Sequence, residues 1–60
     1  MSVAKVIEHE SGDRVYFEIA EAVGGGYWIT WSGIYSTREG AIREIQKTKG
    51  VQYVKSNVKT

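Results

Sequence analysis

Between Arg14 and Glu21 apolar and polar residues alternate, with Val15, Phe17 and Ile19 on one parity and Tyr16, Glu18 and Ala20 on the other. Side chains on a strand project to opposite faces with period two, so this stretch predicts a β-strand whose Val/Phe/Ile face meets the core. The preceding stretch, Val3 to His9, has the same character: Val3, Lys5, Ile7 and His9 share one face, and Ala4, Val6 and Glu8 the other. Ser11-Gly12-Asp13 between the two supplies hairpin chemistry. Gly24-Gly25-Gly26 predicts a second hairpin loop, leading into an aromatic strand from Tyr27 to Ser32 or Tyr35. There Tyr27, Ile29 and Trp31 form one face, and Trp28, Thr30 and Ser32 the other. Matching this strand to its neighbour assigns Ile29 and Trp31 to the core and leaves Trp28 on the opposite face with Tyr16 and Glu18. Gly33 marks a bulge or bend that can turn Ile34 or Tyr35 to either side.

After Tyr35 the period changes. Ser36-Thr37-Arg38-Glu39 reads as a capping box, with Ser36 accepting from the Glu39 amide and Glu39 reaching back. A helix follows from about Thr37 to Lys49, with Ala41, Ile42 and Ile45 as its apolar stripe and Gly50 as a left-handed C-cap. Val51 to Val58 reads as a last strand, less regular because Val51 and Tyr53 differ in parity from Val54 and Val58. The order β-β-β-α-β predicts a single α+β domain over residues 1–60: an antiparallel meander sheet with one helix packed on one face. The other sheet face is left open. The two tryptophans, an odd number of residues apart, therefore cannot both be core.

Composition narrows the function. With no cysteine, no apolar run long enough to span a membrane and no signal-peptide pattern, the expectation is a soluble cytoplasmic domain without a membrane partner. Such a small chain stands near the lower limit of independent folding, where a second copy often completes the burial, so a homodimer is expected. The net charge of +1 is uneven. Residues 1–30 carry Lys5 and Arg14 against Glu8, Glu10, Asp13, Glu18 and Glu21, a balance of −3. Residues 31–60 carry Arg38, Arg43, Lys47, Lys49, Lys55 and Lys59 against Glu39 and Glu44, a balance of +4.

Nothing in the chain predicts catalysis or a cofactor. His9 is the one histidine, its neighbours Glu8 and Glu10 point away from it on a strand, and a metal needs three or four convergent ligands. It is expected to be a solvated strand-end residue. No Ser–His–acid spacing exists, and a two-layer domain this small seldom encloses the pocket that paired carboxylates or a small-molecule substrate need. The triple glycine opens a strand rather than a helix, so it is no phosphate cradle.

The aromatic residues of the open face are the stronger signal. A base-stacking platform would need basic residues interleaved with them, and the Trp28 strand has none while its neighbour offers Glu18 and Glu21. A protein interface suits them better, with Tyr16, Trp28, Thr30 and Tyr35 as its residues and Tyr53 as a further candidate. The alternative is a DNA-binding accessory domain using the basic helix and C-terminal strand through Arg38, Arg43, Lys47, Lys49 and Lys55. A free-standing module of this size suits a phage or mobile-element accessory protein that inhibits or tethers a larger machine.

Two resemblances accompany this reading. Phe17-Glu18-Ile19, Gly25-Gly26-Tyr27, Gly33, Tyr35-Ser36-Thr37 and a helix carrying Ile42 and Ile45 resemble small bacterial and archaeal βββα domains of unknown function. The likeness covers about residues 16–46, and this chain lacks a strand that those domains place between aromatic strand and helix. It implies strand or sheet-face pairing of two copies. Gly26-Tyr27-Trp28 and Thr37-Arg38-Glu39-Gly40-Ala41 are similar to motifs in the arm-binding domain of tyrosine integrases. That resemblance implies a sheet inserted in the DNA major groove, although the sheet here is acidic where theirs is basic.

Overall fold

Four strands and a helix follow one another as β1 (Ser2–Ser11), β2 (Arg14–Gly24), β3 (Tyr27–Thr30), α1 (Arg38–Lys47) and β4 (Val51–Tyr53). This is a computed structural model, and it describes residues 2–55. The last strand, expected to run to Val58, ends at Tyr53: Val54 and Lys55 are not strand, and residues 56–58 lie outside the described residues.

β1 and β2 form a regular antiparallel ladder from Ala4↔Glu21 to Ser11↔Arg14, closed by Gly12 at φ +63° and Asp13. A left-handed residue at the first centre position gives a two-residue turn the twist that flanking strands require. β3 returns antiparallel to β2, with a register shift between Ala22 and Gly24 and with Gly25 and Gly26 both at positive φ. The meander is thus made by the first three strands. β4 then joins the far side of β1 in parallel, from Ser2↔Val51 to Ala4↔Tyr53, giving the order β3-β2-β1-β4. Since β3 and β4 both run parallel to β1, α1 is a crossover carrying the chain over the sheet from one edge to the other.

The helix ends differ from the sequence expectation. Thr37, not Ser36, is the N-cap: its backbone is extended, and its hydroxyl accepts from the Gly40 amide at 3.1 Å. The N3 position of a capping box is then Gly40, which has no side chain to reach back. A Cβ there would sit 3.0 Å from the Thr37 hydroxyl, so the bare glycine leaves room for the cap. At the other end the helix stops at Thr48, whose N–H donates to the Ile45 carbonyl at 3.1 Å. Gly50, at φ +80°, turns the chain afterwards, and its carbonyl accepts from the Ser2 amide at 2.7 Å.

Ala4, Val6, Ile19, Ala41 and Ile45 make the buried core, and Phe17, Trp31, Tyr35, Ile42, Val51 and Tyr53 pack around it. Burying each large aliphatic side chain contributes about 1.5–3 kcal/mol. The largest fully buried ones are Ile19, Ile45 and Val6, so this is a small core. Trp31 is the core indole, as the face assignment predicts. Ile29 is not core: it is 52% exposed, because α1 lies on β4, β1 and β2 and does not reach β3. Val15 keeps the core parity but is exposed at the hairpin end.

Candidate functional site

The face turned away from the helix is built from alternate residues of three strands. In register across it lie Lys5, Ala20 and Thr30, then Ala22 and Trp28, and towards the first hairpin Ile7 with Glu18 and His9 with Tyr16. Trp28 is 41% exposed, and the Lys5 Nζ stands 4.1 Å from its ring centroid. Lys5 is on β1 and Trp28 on β3, so the lysine side chain must cross β2. It can do so because β2 presents only Ala20 and Ala22 at that level. Ala20 is buried even though it faces away from the core. A cation over an exposed indole contributes about 0.5–1 kcal/mol and orients both groups.

The hairpin end of the face is polar. His9 stacks on Tyr16 with centroids 4.9 Å apart and 18° between the planes. Its Nε2 lies 2.7 Å from the Glu18 Oε1, the diagonal neighbour across the ladder. His9 is therefore a member of a side-chain cluster, not the solvated strand-end residue expected from sequence.

Two expectations about charge on this face are corrected. Glu21 does not lie beside Trp28. It points to the helix side, where the Ser2 hydroxyl and the Trp31 indole N–H (2.9 Å) donate to its carboxylate. These two hydrogen bonds, Ser2 first, hold the Glu21 carboxyl below its ordinary value of 4.5, since they favour the charged form. A basic residue does accompany Trp28, and it is Lys5. Sequence reading missed it because the partner comes from a strand two positions away, and the two small alanines at 20 and 22 were the available signal.

The residues expected at a protein interface separate into two groups. Tyr16, Trp28 and Thr30 share the open face. Tyr35 exchanges backbone hydrogen bonds with Phe17, both 2.8 Å, and packs against the core from the helix side. Tyr53 does the same from β4. Among the basic residues, Arg38 donates to Glu8 at 2.8 Å and its guanidinium lies 5.2 Å from the Phe17 ring centroid, so it is engaged inside the fold. Arg43, Lys47, Lys49 and Lys55 are exposed, with Arg43 and Lys47 one helical turn apart.

Among the described residues no three His, Asp or Glu side chains converge as a metal site would require. Among the described residues, one open cleft of about 420 Å³ lies beside Gln46 and Val51–Tyr53, and another of about 520 Å³ between Arg14–Tyr16 and Ile34–Ser36. Neither is lined by a carboxylate or an imidazole. Among the described residues no helix is long and apolar enough to cross a membrane. Comparison with family models, curated proteins and solved structures gives no match.

Proposed function

We propose that this chain is a non-catalytic protein-interaction module whose docking surface is the uncovered sheet face, with Trp28 and Tyr16 as anchors. The observation that carries this reading is the half-exposed Trp28, with the Lys5 ammonium over its ring, on the face turned away from α1. An indole supplies large contact area with only two side-chain torsions to order, and aromatic anchors of this kind dominate interface energetics. Covering an indole and a phenol removes on the order of 200 Å² from water, worth about 5 kcal/mol before ordering costs.

Nucleic-acid binding through Arg43, Lys47, Lys49 and Lys55 is the competing reading, supported by their exposure. Salt separates the two: phosphate contacts weaken steeply between ~50 and ~200 mM, whereas an aromatic interface barely responds. The test compares association of Trp28→Ala and Arg43→Glu across that range. Loss with Trp28→Ala and salt-independence in the wild type support the sheet face. Unchanged association with Trp28→Ala, together with loss in Arg43→Glu, refutes it.

A further inference from the structure

We infer that two copies of this chain pair through the free edge of β3 by antiparallel strand addition. The inference goes beyond the open-face reading: it concerns a different surface, the outer edge of β3, and names a second copy of the chain as its occupant. β3 is an outer strand of the sheet, and all four of its residues are exposed, Tyr27 to 74%. Edge strands are ordinarily protected from strand addition by charge, proline or cover. Among the described residues this one lacks all three: no Lys, Arg, His, Asp or Glu occurs between Glu21 and Arg38, the chain has no proline, and α1 does not reach β3, so its protection is limited to its four-residue length and the register shift at its entry.

The direction of the backbone groups limits the register. The Trp31 N–H donates to the Ile19 carbonyl, so residues of that parity point their amides at β2. By alternation, Trp28 and Thr30 point theirs outward. A two-fold axis at Ile29 then sets Trp28 opposite Thr30 of the second copy, with four N–H···O bonds, and brings the two Ile29 side chains together on the helix side. Self-pairing needs a strand that does not repel itself, which an uncharged one satisfies. The opposite edge fails that condition, because β4 is flanked by Lys49 and Lys55. Tyr27, Trp28 and Ile29 present on the order of 300 Å² of side chain, under half of the ~800 Å² per partner in a standard interface. Backbone and neighbouring residues of the joined edge add to it.

The test is light scattering at ~50 µM on the wild type, Ile29→Lys and Tyr16→Ala, with amide exchange of Trp28 and Thr30 followed by NMR. Ile29 is exposed, so the lysine leaves the fold intact; protection of the Ile19 and Val6 amides verifies this. The expected result is a wild-type dimer with Trp28 and Thr30 amides protected at least tenfold over the diluted monomer, a monomeric Ile29→Lys and a dimeric Tyr16→Ala. A dimer that survives Ile29→Lys and dissociates with Tyr16→Ala overturns edge pairing while leaving the docking face standing. A wild-type monomer with fast Trp28 and Thr30 exchange also overturns it, and the open face then awaits a different protein. A dimer indifferent to both substitutions defeats edge pairing and the open face together as routes of self-association.

Discussion

Replacing Ile45 and Ile29 separately by alanine tests the finding that α1 covers only part of the sheet. Both substitutions delete the same atoms, from positions with opposite exposure: Ile45 is at 0% and Ile29 at 52%. Truncating a fully buried isoleucine costs about 2–5 kcal/mol, the lost transfer energy plus the cavity left behind. At Ile29 roughly half of that transfer energy was never gained and no enclosed cavity forms, so the expected loss in the monomer is about 1 kcal/mol. A chain of this length is stable by roughly 3–9 kcal/mol, so Ile45→Ala should consume a large part of the whole. The assay is urea unfolding followed by tryptophan fluorescence at a few micromolar, with Ile45→Val as a milder variant expected to lose about 0.5–1.5 kcal/mol. Equal losses at Ile45 and Ile29 in dilute monomer would refute the reasoning, since they would mean that the helix or another element covers β3 after all. A loss at Ile29 that grows with protein concentration would instead report the paired edge.

Two further outcomes follow from single hydrogen-bonded groups. Thr37→Ala should cost about 1 kcal/mol by removing the Gly40 cap, with Thr37→Ser close to wild type, as read by thermal denaturation. Glu21 has a folded-state value below 4.5, so its contribution is fully present above the unfolded value and is lost as pH falls through the folded one. Glu21→Gln should accordingly flatten the stability profile below about pH 4.5 and leave the profile above it parallel to wild type; an unchanged acid limb would show that the Ser2 and Trp31 contacts do not favour the carboxylate.

The element order and the faces of β1 and β2 were legible because an alternating pattern states which side each residue takes. That logic also separated the two indoles, Trp31 to the core and Trp28 away from it. It did not carry to Ile29, because periodicity assigns a face and says nothing about how far the helix extends over it. The capping residue slipped by one position for a related reason. The Ser-x-x-Glu pattern favours Ser36 in sequence, whereas Gly40 leaves room for the Thr37 hydroxyl that caps the helix in the fold. The Lys5–Trp28 contact depends on two ladders held in register at once, and so it became visible only with the sheet assembled.

The parallel pairing of β1 with β4 has a consequence for how the molecule is made. Ser2 meets Gly50 across a sequence separation of 48 residues, whereas both hairpins and the helix close locally. Closing that long loop is the costliest entropic step, so the meander and α1 should form early and β4 should dock last. Until β4 arrives, one side of β1 carries unpaired amides and carbonyls next to Ala4 and Val6, the residues on which the core is founded. A chain caught in that interval is open to pairing with the wrong strand.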